Sequence, residues 1–284
     1  MYLKRMEEAL HKRTVADIPI LEFGQVASTH HIARDVIENR RGDMPLDANE
    51  VLPGSLYGAI VADNQIAGRG RRERRWESLR GSSLLATFII GKRELYPMTD
   101  VAHLMVAVCD VLKKVGPSKA DKKGRLDLKI KWPNDLVVDA GTGETKKVGG
   151  CLTEVVNSYL MVGVGINVTQ DAYPADITNA TSLQECGYTI TANELLDQIV
   201  KNYAHRRIDS FSDSDIWKEY KSFSSTLGQK VRIETITETF EGFARDISSD
   251  GSLIVEKNTG EVLEISEGDV VHLRGVEDQE NPFA

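Results

Sequence analysis

The chain has 284 residues, 41% of them hydrophobic and 27% charged, which fits one medium-sized globular domain with a small second domain. Its formal net charge of -8 excludes a molecule that is built as a whole to bind nucleic-acid phosphates, so any basic cluster must act locally. Three widely separated cysteines, Cys109, Cys151 and Cys186, indicate neither a disulfide framework nor a zinc site.

The N-terminal segment, residues 1–15, is expected to be an extension that precedes the first domain. Its first 13 residues mix Glu7 and Glu8 with basic side chains, which favours a cytoplasmic protein over one with a mitochondrial transit peptide. No apolar run in the sequence approaches the roughly 18 residues that a membrane-spanning helix needs. We therefore expect a cytoplasmic protein that contacts no membrane, with a mitochondrial location as the alternative.

The first half of the chain alternates strand-like and helical patterns. Residues 21–40 predict a short strand, a Ser-Thr cap and a helix with its apolar side chains on one face. Two apolar runs of strand type follow at 57–62 and 83–90, on either side of a loop rich in glycine and arginine. Apolar residues at helical spacing predict a second helix over 101–115.

The second half of the chain begins with two buried strand patterns interrupted by turns, over 128–138 and 155–168, and residues 139–147 have hairpin-turn chemistry. Helical patterns return over 192–205 and 216–223.

From 231 to 273 the chain alternates short β-type runs with turns, which predicts a small all-β module of about 50 residues. The predicted division is therefore a larger domain over 16–225, a β domain over 226–275 and a frayed tail over 276–284.

The segment 68–76, GRGRRERRW, concentrates five arginines in nine residues. Guanidinium groups match the oxygens of carboxylates and phosphates, and glycines let backbone N–H groups approach a ligand closely. This composition predicts a loop that closes over a polyanion. A solvated basic loop or a nucleic-acid patch is the alternative, and composition alone does not decide between them.

Three further segments carry polar or glycine-rich patterns inside apolar runs. In 131–135, KWPND, a proline and polar groups need partners, and a kink in which Asp135 caps a turn would supply them. In 147–151, KVGGC, a lysine beside exposed backbone N–H groups suits an acyl or phosphoryl oxygen, although a surface lysine before a turn is commoner. In 163–167, GVGIN, small residues leave room for a flat ligand, but the pattern lacks the third glycine of a dinucleotide fingerprint.

Taken in this order, the segments resemble the motifs of the biotin protein ligase family over nearly the whole chain. That family has a Ser-Thr-Asn element, a glutamine, an arginine-glycine loop, K-W-P-N-D, K-x-x-G and G-x-G-x-N. Here Ser28-Thr29-His30 and Gln65 precede the segments described above. Two departures are visible: His30 stands where the family usually has Asn, and Glu73 replaces a glycine of the arginine loop, which changes its backbone freedom and local charge.

The resemblance implies an α+β fold, with a class II synthetase-like catalytic domain of mixed or antiparallel sheet and flanking helices, followed by an SH3-like β domain. It implies that biotin carboxylate attacks the α-phosphate of Mg-ATP, that pyrophosphate leaves, and that a lysine of a biotin carboxyl carrier domain then takes the biotin from the adenylate. Biotin, ATP and Mg²⁺ are the implied small molecules. We expect the loop 68–75 to be mobile without ligand and to order when biotin or its adenylate supplies anions.

The resemblance also implies roles for the residues at positions that match the family's motifs. The implied catalytic residues are Lys147, Arg69, Arg71 and Asp135, with Asp135 as a helper for deprotonating the acceptor lysine. The implied biotin-binding residues are Ser28, Thr29, His30, Gln65, Gly68, Arg69, Gly70, Arg71, Lys147, Gly163 and Gly165. The implied ATP-binding residues are Arg71, Arg72, Arg74, Trp76, Asn134, Asp135, Lys147 and Asn167. No residue is assigned to a metal site of the protein itself.

Three other functions stay open at this point. A lipoate ligase of the same superfamily would use the same adenylation chemistry, but its usual Arg-Arg, Gly-rich and His-Asp signature is absent. A nucleic-acid-binding protein could use the arginine loop, yet the repressors of the family carry an N-terminal winged helix for which too few residues precede the first predicted strand. We therefore expect no specific nucleic-acid binding. A ligand-binding module without catalysis is the third, and a homodimer is left open.

Overall fold

The computed structural model describes residues 11–42, 44, 51–93, 98–117, 128–139, 145–169, 171, 173–174, 177–208 and 212–272. These residues form a large mixed sheet with helices on both faces and a smaller antiparallel sheet at the C-terminal end. The predicted α+β architecture with a C-terminal β domain is confirmed. None of the described helices combines the length and the apolar character that a membrane crossing requires.

The large sheet has eight strands in the order β1-β2-β3-β4-β8-β7-β6-β5. All neighbouring strands are antiparallel except β2 and β3, which are parallel. Every residue of β4 is buried because this strand lies near the centre of the sheet with helices over both faces. The strands are β1 (His11–Val15), β2 (Ile18–Phe23), β3 (Leu56–Ala62), β4 (Ser83–Gly91), β5 (Leu128–Lys131), β6 (Asp135–Asp139), β7 (Thr145–Val156) and β8 (Tyr159–Asn167).

Four helices cover the two faces of this sheet. The helices are α1 (Thr29–Ile37), α2 (Met98–Val115), α3 (Ala192–Ile208) and α4 (Asp213–Phe223). Because side chains alternate between the faces of a strand, Phe88 and Val162 join the core beneath α2, whereas Ile89 and Met161 join a separate core beneath α1. On the face beneath α1, Thr87 of β4 and Gly163 and Gly165 of β8 stand in place of large side chains.

The C-terminal domain is a five-stranded antiparallel sheet in the order β12-β11-β10-β9-β13. Its core continues that of the large sheet, since Val231 and Val255 belong to the same apolar cluster as the residues beneath α2. The indole N–H of Trp132 donates to the carbonyl of Gly251 at 2.9 Å and so fixes the two sheets to each other. Its strands are β9 (Lys230–Glu234), β10 (Thr239–Ile247), β11 (Leu253–Lys257), β12 (Val262–Ile265) and β13 (Asp269–His272).

The N-terminal segment differs from the sequence-based expectation. Residues 11–15, assigned to an extension before residue 16, form β1 at the edge of the large sheet and pair with β2. Arg13 ties this strand down through ion pairs with Glu22 and Asp197. Residues 1–10, the centre of the predicted hairpin turn at 140–144 and the predicted tail lie outside the described residues.

Candidate active site

A polar cavity opens on the face of the large sheet that α1 covers. Its walls come from the start of α1, the arginine loop 68–76, strands β4, β7 and β8, the turn before β6, and the first residue of β13. Of the residues predicted for the site, those that line this cavity are Ser28, Thr29, His30, Gln65, Arg69, Gly70, Arg71, Arg74, Trp76, Asn134, Asp135, Lys147, Gly163 and Gly165.

The three remaining predicted residues lie beside this cavity. Gly68 packs under Trp76, whose carbonyl oxygen would be 2.4 Å from a side-chain carbon at that position. Arg72 is directed at the C-terminal domain. Asn167 lines an adjoining cavity that also contains Trp76 and Lys147, and its amide donates to the carbonyl of Thr181 at 3.1 Å.

Hydrogen bonds order the end of the cavity next to α1. The hydroxyl oxygen of Ser28 caps the helix by accepting from the backbone N–H of His30. The side-chain oxygen of Gln65 accepts from the backbone N–H of Thr29 at 2.7 Å and from its hydroxyl at 3.0 Å. Thr87 of β4, fully buried, stands within hydrogen-bond distance of both Thr29 and His30. This end of the cavity therefore offers polar groups in fixed orientations.

Two glycines of β8 make room for rings. A side-chain carbon at Gly163 would lie 2.5 Å from Cε1 of His30, and one at Gly165 would lie 2.6 Å from the Trp76 indole. Any larger residue would displace an aromatic ring from the floor of the cavity. The GVGIN segment is therefore required by packing on the ring side chains that line the site.

Lys147 of β7 adds a lysine to the arginines that line the cavity. Its Nζ lies 2.7 Å from Oδ1 of Asp135 and 6.0 Å from the centroid of the Trp76 ring. The backbone of Lys147 is fixed by a donation to the carbonyl of Asn179 at 2.7 Å and an acceptance from Thr181 at 2.9 Å. The side chain is 36% exposed, so the ammonium group faces the open cavity and can meet an anionic ligand.

The arginine loop folds as a tight hairpin. Gly70 donates to the carbonyl of Arg74 at 2.7 Å, and Trp76 donates to Gly68 at 3.1 Å. A short turn of 3-10 helix spans Arg71–Glu73, and Arg72 within it has a φ of 50°, in the left-handed region. Four guanidinium groups of the hairpin form hydrogen bonds outside it, those of Arg71, Arg72, Arg74 and Arg75.

Asp269, the first residue of β13, is the partner of three of these guanidinium groups. Its carboxylate accepts from Arg71 at 3.3 Å, Arg72 at 3.1 Å and Arg74 at 3.0 Å. Arg71 also donates to Gly268 and Asn134, and Arg72 donates to the carbonyl of Glu234 at 2.7 Å. The C-terminal domain thus supplies an anion to the site, which the sequence did not predict.

Burial sets the protonation of two groups beside the cavity. The pKa of His30 is lowered to about 4, chiefly by burial and then by the charges of Arg69 and Arg34, so the imidazole is neutral at neutral pH. Burial raises the pKa of the Cys151 thiol to about 12, which leaves no thiolate to act as a nucleophile. In the described ranges, no group of three or more His, Cys, Asp or Glu side chains could hold a metal ion by itself.

Sequence reasoning missed three polar residues of the site. Thr87 had a signal, because it is the one hydroxyl in the apolar run 84–90. Asp269 had none, since nothing local distinguishes it from other acidic residues of the β domain. Glu154 of β7, which pairs with Arg34 and lies 3.9 Å from Arg69, likewise becomes notable only through its neighbours.

The chain matches models of two families of domains. Residues 54–171 match the biotin/lipoate A/B protein ligase family, and residues 226–273 match the biotin protein ligase C-terminal domain. The first match spans the arginine loop, β4 and the strands that carry Lys147 and Gly163. The second spans the whole of the C-terminal sheet.

Curated relatives extend these matches to most of the chain. The biotin–[acetyl-CoA-carboxylase] ligase of Mycobacterium tuberculosis is 32% identical over 220 residues, which cover 76% of this chain and 79% of that protein. The bifunctional ligase/repressor BirA of Bacillus subtilis is 30% identical over 256 residues, covering 84% of this chain and 74% of the relative.

Solved structures agree with this assignment. The biotin protein ligase from Aquifex aeolicus in complex with biotin and ATP superposes with a TM-score of 0.68 at 25% identity and covers 90% of this chain and 99% of its own. The ligase from Leishmania major in complex with biotinyl-5-AMP, at 24% identity and a TM-score of 0.57, shares the fold.

Proposed function

This chain belongs to the biotin protein ligase family, and from that premise we propose that it uses ATP to convert biotin to biotinyl-AMP and transfers the biotin to a lysine of a carboxylase carrier domain. The chain is a ligase that acts on biotin. The observation that carries the proposal is the meeting, in one cavity, of a fixed polar end, a lysine and an arginine hairpin. These three parts suit the ring head, the carboxylate and the phosphates of the two substrates.

The first step needs positive charge more than it needs a nucleophile from the protein. An oxygen of the biotin carboxylate attacks the α-phosphorus of ATP, the bond to the bridging oxygen breaks, and pyrophosphate leaves. Two anions must be brought together, so preorganised cations should lower the barrier most. Lys147, Arg69 and Arg71 are the proposed cations, and the raised pKa of the Cys151 thiol agrees with a reaction that has no covalent enzyme intermediate.

We assign the polar end of the cavity to the ring head of biotin. A cyclic urea presents N–H donors and a carbonyl acceptor, each of which would lose a hydrogen bond to water if the pocket offered no partner. Ser28, Thr29, His30 and Gln65 supply polar atoms within a small volume at this end. Gly163 leaves the space that the His30 ring occupies at this end.

The nucleotide is proposed to occupy the part of the cavity around Trp76 and the adjoining cavity. The indole of Trp76 offers a flat face for a base. Asn134 and Lys147 line both cavities with Trp76, and Asn167 lines the adjoining one. Arg72 and Arg74, now paired with Asp269, are within the loop that would turn toward phosphate.

Mg²⁺ is proposed to arrive with the ATP phosphates. This cation keeps several waters and is commonly bound by one or two carboxylates together with substrate phosphates. The donor set beside Lys147 fits such a site, because Asp135 supplies a carboxylate and Asn134 an amide oxygen. When bound, the ion would neutralise charge on the phosphates that leave as pyrophosphate.

In the second step the amine of the acceptor lysine attacks the carbonyl carbon of the adenylate, and AMP leaves with the pair of electrons of the anhydride bond. The amine must lose a proton on the way. Asp135 is the proposed acceptor or relay for it, in addition to orienting Lys147 at 2.7 Å.

Biotin-dependent exchange of labelled pyrophosphate into ATP tests the first step. The purified chain should catalyse the exchange with biotin and not with lipoate, because the polar end of the cavity suits a cyclic urea and a dithiolane has no N–H groups. Exchange with lipoate alone would instead support a lipoate ligase, and no exchange with either acid would contradict the proposal.

A further inference from the structure

A chain of hydrogen bonds runs beneath the start of α1 and joins four side chains. Gln65 is bonded to Thr29, Thr29 to Thr87 at 2.8 Å, and Thr87 to Nδ1 of His30 at 3.0 Å. Thr29, Thr87 and His30 are all at least 96% buried, with 3%, 0% and 4% of their surfaces exposed. Because water does not reach Thr29, Thr87 and His30, their polar hydrogens must be donated within this chain of hydrogen bonds.

The direction of every hydrogen bond in this chain follows from one backbone group. The N–H of Thr29 can only donate, so the side-chain atom of Gln65 that lies 2.7 Å from it must be the amide oxygen. That oxygen cannot donate, so the hydroxyl of Thr29 gives its proton to Gln65. Thr87 therefore donates its single hydroxyl proton to Thr29.

The imidazole of His30 must then carry its proton on Nδ1. Thr87 has no proton left for the ring, so the contact of 3.0 Å is satisfied when Nδ1–H donates to Oγ1 of Thr87. Burial lowers the pKa of His30 to about 4, so at neutral pH the ring has one proton and Nε2 has a lone pair. Nε2 is buried and has no hydrogen-bond partner among the described residues.

An acceptor that is buried without a partner costs free energy, and its presence in a ligand cavity indicates a donor that arrives with the ligand. The ring of His30 lines the cavity and lies against Gly163, where a side-chain carbon would be 2.5 Å from Cε1. The chain thus fixes both the orientation and the tautomer of the ring. An Asn at this position would instead present an amide whose N–H₂ and oxygen can exchange places.

We propose that Nε2 of His30 accepts a hydrogen bond from one ring N–H of the cyclic urea, and that Thr87 is the positioning residue that makes this nitrogen an acceptor. This inference rests on the proposed function for the identity of the ligand. It makes His30 a specificity residue, because a ligand with an oxygen in place of that N–H would set two lone pairs against each other.

Nitrogen-15 NMR of histidine-labelled protein reads the tautomer directly. The chain has six histidines, and the spectrum of His30→Gln assigns the signals of His30 by their loss. The free protein should show His30 protonated on Nδ1, and saturation with biotin should shift its Nε2 signal to that of a hydrogen-bonded acceptor. A proton on Nε2 in the free protein would overturn the inference.

Calorimetric binding constants test the specificity. Biotin is compared with the two cyclic carbamates in which one or the other ring N–H is replaced by oxygen. One carbamate should bind about 100-fold more weakly than biotin, and the difference should shrink in His30→Asn, whose amide can turn an N–H toward the oxygen. If both carbamates bind with affinities within about threefold of that of biotin, Nε2 does not accept a hydrogen bond from a ring N–H.

Thr87→Val removes the acceptor for Nδ1 with little change of volume, and it should weaken biotin binding by about tenfold without changing the KM for ATP. Thr99→Val is the matched control, because Thr99 is also buried but lies on α2 outside the cavity. Equal affinity of Thr87→Val and the control would overturn the role of Thr87.

Different results would overturn the proposed function and the proposed role of His30. Biotin binding with an unchanged Nε2 signal would overturn this inference alone. A wild-type chain that neither binds biotin nor catalyses the exchange would overturn the proposed function, and this inference with it.

Discussion

Among single residues, Lys147 lines the cavity with its Nζ 2.7 Å from Asp135 and 6.0 Å from the centroid of the Trp76 ring. Lys147→Ala should lower the rate of biotin-dependent pyrophosphate exchange by about two to three orders of magnitude, because one preorganised charge at a developing oxyanion contributes roughly 2.7–4 kcal/mol. Lys146→Ala is the control, since Lys146 is the exposed neighbour on the same strand. A folded Lys147→Ala protein with near wild-type exchange would exclude this lysine from the first step.

His30 also predicts how stability depends on pH. Its folded-state pKa of about 4 lies below the value of about 6.5 expected for an unfolded imidazole, so between these values the unfolded chain binds more protons. The free energy of unfolding should therefore fall as the pH drops from 6.5 to 4, with roughly 3 kcal/mol of that loss due to this residue.

Urea unfolding of wild type and His30→Asn at pH 7 and pH 4.5 measures this contribution. Stability should fall less in His30→Asn, because an amide takes up no proton in this range. Equal losses of unfolding free energy in the two proteins would show that the buried imidazole does not cause the dependence of stability on pH.

At the scale of elements, the arginine hairpin is held by few bonds of its own and by contacts with Asp269. We expect its amide protons to exchange slowly when biotin and ATP are bound, because the anions would pair with guanidinium groups of the hairpin. Hydrogen exchange of residues 68–76 in the free and ligand-bound protein checks this. Equal protection in both states would contradict a loop that closes on ligand.

Helices and central strands could be predicted from the sequence because their apolar residues recur at helical spacing or in continuous runs. The helix expected over 101–115 is observed as Met98–Val115, and the strand expected over 83–90 as Ser83–Gly91. β1 was missed because HKRTV is mostly polar and becomes a strand through pairing with β2 and the ion pairs of Arg13. Such tertiary contacts cannot be recognised from the local pattern of the sequence.

The same division applies to the site. The order of motifs such as KWPND and GVGIN, through the family that they resemble, predicted residues that the fold brings into one cavity, whereas KWPND alone predicted only a kink. The proton chain through Thr87 could not be predicted, since it depends on the distance between α1 and β4. The contact of Asp269 with the arginine hairpin depends on how two sheets pack.

For the whole molecule, the notable feature is that the C-terminal domain contributes Asp269 to the lining of the candidate active site. Its carboxylate is 20% exposed and takes the place of a ligand anion between Arg71, Arg72 and Arg74. The β domain therefore holds the hairpin in the free protein and would have to release part of it to a phosphate.

Asp269→Asn should loosen the hairpin. Because these ion pairs are partly exposed, the substitution should lower the free energy of opening the hairpin by about 1 kcal/mol. This corresponds to roughly fivefold faster amide exchange over 68–76 in the free protein. Asp246→Asn removes a comparable carboxylate of the same domain that pairs with Lys221 instead. If exchange over 68–76 is the same in both variants, the β domain does not restrain the hairpin.

A biotin protein ligase must transfer biotin to a protein. The decisive measurement is the mass of a biotin carboxyl carrier domain after incubation with this chain, biotin and Mg-ATP, beside a carrier whose target lysine is replaced by arginine. We predict that the intact carrier gains the mass of one biotinyl group only when ATP is present, and that the arginine form gains none. An unmodified carrier under conditions in which an established biotin protein ligase modifies it would contradict the account.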